Sequence, residues 1–519
     1  MEVNSKETEA MTGSEQEKID PKDVPWWTSS RLGLAVIGFF GFINVYALRV
    51  NMSVAIVCMV NGTALELLNP DNKTNVTDEI DSGCLSRKSG TAGNLKDGEF
   101  LWNKTTQGLV LGSFFWGYLV TQIPGGWVAT RIGGKRVFGW TMFAAAILTL
   151  LTPIAAQTSY IFLIVIRILL GLATGVAFPA MHAIWGHWSP VMERSKLTSF
   201  TYAGAQIGNV ITFPLAGMLC QYGFAGGWPS IFYVLGAGTI VWFIAWMLLV
   251  TDYPQDHKRI SDIERRYILQ GLKDSVQTHK KHKVPWVRMF TSLPVWAIVV
   301  SNTCSDWGNY TLLTGIPTYM NEVLKFDITS NGLYSALPYI GFWLGINVSG
   351  YLADLVRTRG ILSTTWTRKL WDAFGKVIPA IMLIALGYLE CTQSATAVGL
   401  LVLAVALTAP IFSGYTVNHV DIAPAYAGVL FGISNSVAAL TGFVSPVVTG
   451  ILTPDQTREQ WLSVFYISAA IYIVGAIFYL LFASGELQEW ARDKDSPEVE
   501  EMIDKDGVEL VDMKRQVVA

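Results

Sequence analysis

Two arginines lie inside apolar stretches that are long enough to cross a lipid bilayer. Arg49 stands in the run 38–57 and Arg167 in the run 161–171. An arginine at the centre of a membrane helix costs roughly 2.5 to 3.5 kcal/mol, so such a residue usually faces water or a counter-charge. Two buried cations therefore predict a binding site for an anion. The alternatives are that each arginine pairs with a carboxylate, or that its side chain reaches the membrane surface.

One carboxylate also falls within an apolar run. Asp306 is the clearest acid in these segments. At 1.5 Å per residue, Arg49, Arg167 and Asp306 all lie about 8 to 12 Å below the same membrane surface. We expect the three residues to share a chamber, with the anion between the arginines. The alternative is that Asp306 only neutralises one of them.

Further polar residues in the apolar runs are candidates for the same chamber. They are Tyr46, Gln206, Asn209 and Asn435. For each of them the alternative is a polar contact between packed helices. His182 stands near the end of a predicted helix, where it could titrate near neutral pH or simply hydrogen-bond the helix end.

The composition is that of a membrane protein. Of the 519 residues, 51% are hydrophobic and only 15% are charged, against about 25% charged in soluble domains. Apolar runs of about 20 residues predict an all-α membrane protein with twelve spans. We place the spans near 34–57, 107–129, 136–156, 159–181, 199–221, 230–250, 294–316, 331–353, 370–389, 396–416, 427–451 and 461–483.

The charges between the spans predict the orientation. Lys and Arg concentrate in the connections after the second, fourth, sixth and eighth spans, whereas the connections 157–159 and 221–227 contain none. By the positive-inside rule both termini are cytoplasmic. The loop 61–105 then faces the lumen or exterior, and its sequons are predicted N-glycan acceptors. These are Asn61, Asn72, Asn75 and Asn103.

Five cysteines are too few for a disulfide scaffold. Cys58, Cys220 and Cys304 lie in or at the ends of predicted spans, where we expect small buried side chains. Cys84 and Cys391 fall on the oxidising side, where they form a disulfide or stay as two free thiols.

An internal repeat relates the two parts of the chain. A shift of 224 residues places Gly108 on Gly332, Gly126 on Gly350 and Tyr202 on Tyr426. A shared register over four spans predicts two six-helix halves with the same orientation, related by an axis along the membrane normal, as in the major facilitator superfamily. The predicted divisions are a tail 1–30, a first half 31–251, a cytoplasmic linker 252–293, a second half 294–484 and a tail 485–519.

Two sets of motifs carry a closer resemblance. The connection 126–136 resembles the major facilitator loop motif G-x-L-A-D-R-x-G-R-K, with Thr130 in place of the acid, and the second copy keeps Asp354. Longer matches lie at 40–55, 112–126, 178–185, 193–206 and 418–424. They resemble the anion-transporting branch that includes sialin, the vesicular glutamate transporters and type I sodium-phosphate cotransporters, and look closest to sialin. The resemblance assigns the loop residues to a cytoplasmic gate: Arg131, Gly133, Lys135, Arg136 and Asp354.

The resemblance also implies roles for the buried arginines, with departures elsewhere. Arg49 and Arg167 match the family's arginines of spans one and four, which serve in anion binding or gating. Leu170 and Thr174 stand where sialin has glutamates. Vesicular glutamate transporters carry a histidine and an arginine at the positions of Leu111 and Ser305. Glutamate is therefore a less favoured substrate, and the usual proton-coupling carboxylate is missing.

These observations favour a secondary active anion transporter that works by alternating access. We expect a sialin-like, proton-coupled carrier of sialic acid or related carboxylates, in which Asp306 and His182 are candidates for coupling to H⁺ or Na⁺. The alternatives are a sodium-dependent phosphate or organic-anion cotransporter and a vesicular acidic amino acid transporter, in a lysosomal, vesicular or plasma membrane. The expected partners are the bilayer and a small anion, with no nucleic acid, obligate protein partner, metal or cofactor.

Other classes of membrane protein fit less well. A receptor would have seven spans and would not explain the repeat. A channel would need polar rings along its path. An enzyme would need a nucleophile, metal cluster or nucleotide loop, and the sequence has no Walker loop, H-E-x-x-H or G-x-S-x-G site in a credible context.

Overall fold

A computed structural model describes residues 24–61, 64, 98–190, 193–278, 285–423 and 426–491. Helices account for nearly all of the regular structure in these ranges, with one isolated bridge between Val60 and Phe100. The predicted acceptors Asn72 and Asn75, together with Cys84, lie outside the described residues.

The helices follow the predicted spans closely. In chain order they are α1 (Ser30–Met59), α2 (Lys104–Ile132), α3 (Gly134–Thr158), α4 (Tyr160–Thr174), α5 (Ala177–Trp188), α6 (Arg194–Tyr222), α7 (Trp228–Leu249), α8 (Asp262–Thr278), α9 (Trp286–Thr291), α10 (Leu293–Glu322), α11 (Ile328–Thr358), α12 (Thr364–Gly387), α13 (Ser394–Ala406), α14 (Tyr415–Ile422), α15 (Ala427–Leu452) and α16 (Arg458–Phe482).

Nine helical segments of the described chain are long and apolar enough to cross a membrane. The helices α2, α10 and α11 are also long and occupy predicted spans, but they are more polar than these nine. In α10 the polarity has a structural reason, because Asn302, Asp306 and Asn309 line a central cavity. The all-helical membrane fold is confirmed, whereas the count of twelve transmembrane helices stays a prediction.

The first part of the chain packs around one core, which also includes Tyr310, Leu313, Ala336, Tyr339 and Ala439 of the second part. The rest of the second part packs around two further cores. Close contacts between the two parts involve α2 with α15 and α6 with α11. Two glycines of the predicted repeat lie at these crossings. A Cβ on Gly108 would lie 2.5 Å from the Pro446 carbonyl oxygen, and one on Gly332 would lie 2.5 Å from that of Phe213. Equivalent small residues thus let the backbones approach in both places.

Two long segments are interrupted. The first breaks at Gly175 and Val176, between α4 and α5, and the second breaks at a 3-10 turn, Ala409–Ser413, between α13 and α14. Pro179 stands in the first turn of α5, and Pro410 stands at the start of the 3-10 turn, where a missing N–H is tolerated. Non-helical backbone at membrane depth is stable only where protein or a water-filled cavity covers it.

The two ends of the bundle are held by different ionic contacts. We name them the Lys104 end and the Asp252 end, which the charge rule predicts to be luminal and cytoplasmic. At the Lys104 end, Lys104 of α2 pairs with Glu322 of α10, and both are buried. At the Asp252 end, the linker helix α8 places Glu264 at the start of α1, where its carboxylate accepts from the Arg31 N–H at 3.1 Å.

The cysteines differ from the expectation. Cys58 and Cys220 form a disulfide with their Cα atoms 6.4 Å apart, which joins the ends of α1 and α6. We expected buried thiols there, and that prediction was wrong, because a separation of 162 residues hides the pairing from the sequence. Cys391 is disulfide-bonded, while its predicted partner Cys84 is outside the described residues, so their pairing stays a prediction. Cys304 is a free thiol.

Candidate functional site

A cavity of about 210 Å³ lies between the two parts of the chain. It receives residues from α1, α2, α5 and α6 on one side and from α10, α11 and α13 to α16 on the other. Six of the residues predicted from the sequence line it: Tyr46, Arg49, Gln206, Asn209, Asp306 and Asn435. Residues that are more than 150 positions apart are therefore brought into one chamber.

Arg49 presents the cation of this cavity. Its side chain is 5% exposed, and its guanidinium carbon lies 4.3 Å from the ring centre of Tyr118 and 4.8 Å from that of Tyr46. Its Nε and Nη2 atoms have no hydrogen-bond partner in the described protein, and no carboxylate among the described residues forms an ion pair with it. A buried, unpaired guanidinium beside a cavity is a strong site for an anion, because leaving it unpaired is costly.

Arg167 has a different position. It is 2% exposed and is not among the cavity-lining residues. Its Nη2 donates to the backbone carbonyl of Arg49 at 3.4 Å, and its guanidinium carbon lies 5.2 Å from the Phe114 ring centre. Of the two arginines predicted to bind the anion, only Arg49 lines the cavity. Arg167 lies behind Arg49 and contacts the backbone that carries it.

Asp306 lines the cavity opposite the α1 residues. It is partly exposed, and no ion pair within 4.0 Å joins it to Arg49 among the described residues. Asp306 therefore makes no direct ion pair with Arg49 in this conformation. Ser305, the neighbouring residue, also lines the cavity and donates to the Ser301 carbonyl at 2.7 Å.

The amides contribute contacts across the cavity and along its wall. Asn435 of α15 donates to Gln122 of α2 at 2.8 Å and links the two parts of the chain. Asn209 lies 3.5 Å from the Gln206 amide oxygen on the same helix, and its own Oδ1 has no partner in the described protein. These amides therefore combine packing with free hydrogen-bonding capacity toward the cavity.

Three of the four positions that depart from the family pattern lie outside the cavity lining. Leu170 is buried, and Thr174 donates to its carbonyl at 2.9 Å. Leu111 is buried near the Lys104 end. Of the four departures, only Ser305 lines the cavity.

His182 is outside the cavity lining. Its Nδ1 lies 2.9 Å from the Phe178 carbonyl oxygen and 2.8 Å from the Tyr202 hydroxyl. His182 lies in the middle of α5 and not at a helix end as the alternative predicted, and its ring contacts the carbonyl one turn earlier and Tyr202. Its role in coupling stays a prediction.

The predicted gating loop is held by an acid from the segment that follows α7. Gly133 has a φ of 103°, and Asp252, after α7, lies where a Cβ on that glycine would be. The Asp252 carboxylate accepts from the Lys135 N–H at 2.7 Å and caps the start of α3. Since Thr130 replaces the acid of the loop motif, Asp252 supplies a carboxylate that the sequence pattern did not reveal.

The other loop residues are at the surface. Arg131 stacks over Trp127, 4.2 Å from its ring centre, and Arg136 is exposed. Asp354 lies 3.8 Å from Arg357 one turn along α11. The predicted acceptors at the opposite end include Asn61 and Asn103. Asn103 is exposed and caps α2 by accepting from the Thr106 N–H at 2.8 Å.

Helix α12 carries a set of buried charges that was not predicted from the sequence. Lys376 and Asp372 are both fully buried, with 2.6 Å between Nζ and Oδ2, and Arg368 pairs with Asp421 at 2.6 Å. Asp372 and Lys376 are four residues apart within the predicted span 370–389, and this was the available signal, because residues four apart share a helix face. Arg368 precedes that span.

Comparisons with known proteins agree with this architecture. The Major Facilitator Superfamily model matches residues 34–446. Human sialin is 48% identical over 468 residues, covering 90% of this chain and 92% of sialin. Human vesicular glutamate transporter 2 is 40% identical over 468 residues, covering 90% and 76%.

Solved structures show the same fold at low identity. A bacterial homologue of the human lysosomal transporter Spinster, in an inward-facing and occupied conformation, has a TM-score of 0.63 and 14% identity, covering 87% of this chain and 96% of that one. The xylose transporter XylE from E. coli, in an inward-open conformation, has a TM-score of 0.60 and 15% identity, covering 88% and 96%. The chain is a multi-pass membrane protein that belongs to the major facilitator superfamily, a family of transporters rather than enzymes.

Proposed function

We propose that this protein is a sialin-like secondary active transporter of organic anions, with sialic acid or a related carboxylate as substrate. The observation that carries the proposal is the unpaired guanidinium of Arg49 at the wall of the central cavity. The names of its relatives, sialin and vesicular glutamate transporter 2, support an anionic substrate. Tyr46, Gln206, Asn209 and Asn435 would bind the rest of the substrate.

Alternating access is supported by the different packing of the two ends. The cavity lining includes Phe178, Thr416 and Phe431, which lie toward the Asp252 end of their segments. At the Lys104 end, Gly108 and Gly450 allow close backbone contact, and Lys104 pairs with Glu322. The conformation is thus closed at the Lys104 end, which we propose to be luminal. Both termini are proposed to be cytoplasmic.

Transport would be coupled to H⁺ or Na⁺ through Asp306. This carboxylate is the acid that lines the cavity without an ion-pair partner among the described residues. Protonation or sodium binding at Asp306 would change the cavity charge while Arg49 holds the anion. Lysosomal or vesicular membranes are the proposed location, and the plasma membrane is the alternative.

The test is flux in proteoliposomes. Uptake of sialic acid, phosphate, urate, glutamate and aspartate would be measured with an imposed pH, sodium or voltage gradient. Saturable, proton-driven uptake and counterflow of sialic acid supports the proposal. Sodium-driven phosphate uptake would favour the cotransporter alternative, and no counterflow with any anion would refute anion transport.

The coupling role has its own variant. Asp306→Asn keeps the shape of the side chain and removes its charge, so we expect loss of pH-driven uptake with counterflow retained. Glu390→Gln, at an exposed carboxylate on the Lys104 side of α13, is the matched control. An undiminished pH dependence in Asp306→Asn would remove Asp306 from coupling.

A further inference from the structure

A stripe of charged residues on α12 lies against the break between α13 and α14. Arg368, Asp372 and Lys376 are four residues apart on one helix face, and all three are at most 3% exposed. Charges at membrane depth are costly and persist where they pair or serve a function. None of the three lines the central cavity, so anion binding does not account for them.

Arg368 holds both sides of the break. Its Nη1 donates to the carbonyl of Ser413, the last residue of the 3-10 turn, at 2.8 Å. Its Nε donates to the Asp421 carboxylate near the end of α14 at 2.6 Å. One guanidinium therefore satisfies a carbonyl that the broken helix leaves without a helical partner and fixes α14 to α12.

Asp372 and Lys376 lie one and two turns beyond Arg368 on α12, and they form a closed hydrogen-bond network. Lys376 Nζ donates to Asp372 Oδ2 and to the Ser301 hydroxyl, each at 2.6 Å, and Ser301 donates to Asp372 Oδ1 at 2.8 Å. Gly414, at the break, packs against Asp372, where a Cβ would lie 2.8 Å from that of Asp372. The network thus ties α12, α10 and the broken segment together.

The break connects directly to the cavity. Tyr415, the first residue of α14, donates to Asn302 Oδ1 at 2.7 Å, and both residues line the cavity. Ile411 and Phe412 of the turn, with Thr416 of α14, line it too. Any movement of α14 about the turn therefore changes the cavity wall on the Asp252 side.

We propose that Arg368, Asp372 and Lys376 are positioning residues that clamp the hinge between α13 and α14, and that release of this clamp lets α14 move during the transport cycle. The inference rests on the proposed transport function. Its structural part, that the stripe limits local opening of residues 409–422, does not depend on any substrate.

The experiment measures backbone hydrogen exchange and transport in the full-length protein reconstituted in lipid nanodiscs and proteoliposomes. The test variant is Asp372→Asn with Lys376→Met, which removes both charges together and so leaves no single buried charge uncompensated. The control is Glu390→Gln with Arg458→Met, at an exposed ion pair of 3.4 Å in the same half. The break at 174–177 is the internal control.

We expect exchange over 409–422 to rise by about tenfold or more in the test variant, because charge-assisted hydrogen bonds are lost. Exchange over 174–177 and in the control variant should stay unchanged. The maximal uptake rate should change by about tenfold, with KM within about twofold, since no lining residue is altered. Unchanged exchange over 409–422, or an equal rise throughout the second half, would overturn the inference.

A second variant covers a failure of the double variant to fold. Arg368→Lys keeps the charge but cannot reach Ser413 and Asp421 with one planar group. The rate of hydrogen exchange over 409–422 should rise severalfold. An unchanged exchange rate would contradict the proposed clamp. If the wild type transports no anion, the proposed function fails, while the exchange results still decide the clamp.

Discussion

The two broken segments are built at the same place and held in different ways. The first segment breaks after the 15 residues of α4. In the second segment the 3-10 turn begins at Ala409, which is likewise 15 residues after Ser394, the first residue of α13. The first break is held by backbone packing. Gly117 and Gly171 let α2 and α4 meet at the carbonyls of Ile168 and Phe114, and Gly175 contacts the Tyr118 carbonyl region. The second is held by the charged stripe on α12.

This difference separates the buried charges into two groups. In the second part of the chain, Arg368 and Lys376 are paired with carboxylates and hydrogen-bonded to the protein. In the first part, Arg49 and Arg167 have guanidinium atoms without partners in the described protein. A buried cation that is paired with a carboxylate can serve the fold alone, whereas a buried unpaired cation needs a ligand or water. A missing carboxylate partner together with a place at the cavity wall, and not burial, therefore points to Arg49 as the ligand site.

The largest effect should come from Arg49. Arg49→Lys keeps the charge but loses the planar fork and should lower apparent affinity for the anion by roughly tenfold to more than a hundredfold. Initial uptake against substrate concentration, at equal surface expression, measures it. Arg259→Lys, at an exposed arginine of the linker, is the control. Near-wild-type KM in Arg49→Lys would refute direct recognition by this arginine.

Arg167→Lys should separate the two arginines. Because Arg167 contacts the Arg49 backbone and not the cavity, we expect the maximal rate or expression to fall by about tenfold while KM changes much less. The same uptake curves measure it. A KM change as large as that of Arg49→Lys would restore the model in which both arginines bind one anion.

Gly171→Ala tests the backbone packing that holds the first break. The new Cβ would collide with the Phe114 carbonyl, and overpacking of this kind costs about 1 to 3 kcal/mol. We expect a lower melting temperature and weaker expression. Gly399→Ala, where a Cβ would meet nothing within 4 Å, is the matched control, and equal stability of the two variants would contradict the packing argument.

Glu322→Gln tests the ion pair that closes the Lys104 end. Loss of the charge leaves Lys104 buried without its partner, so we expect the closed end to open more often and labelling of a Thr318→Cys reporter beside it to become severalfold faster. Glu459→Gln, at an exposed residue of the same end, is the control. Unchanged labelling would show that backbone packing alone keeps this end closed.

The smallest effect should come from Asn103→Asp. Aspartate preserves the helix cap that Asn103 makes at α2 but removes the sequon, so transport should be unchanged and the glycosylated band should move on a gel. Thr105→Ala removes the same sequon by another route. If neither variant shifts the band, this site carries no glycan and gives no support to the predicted orientation.

The sequence could determine the class of protein and the helices, because both depend on local runs of apolar residues and on the cost of burying charge. It also placed Arg49, Arg167 and Asp306 at similar depth, since a helix converts residue number into height in the membrane. The orientation was predicted from the positions of Lys and Arg, and the two halves from a constant shift along the chain. Both are properties of the sequence that need no structure.

Only the tertiary structure decided which of these residues meet. Depth does not specify rotation about a helix axis, so the sequence placed Arg167 beside the cavity, while packing of α4 against α2 directs it to the Arg49 backbone. The Cys58–Cys220 bond, the Asp252 cap and the clamp at α14 each join residues that are distant in the chain or on different helices. Pairing of a buried charge depends on its neighbours in space, and so the free arginine could be distinguished from the paired ones only in the folded chain.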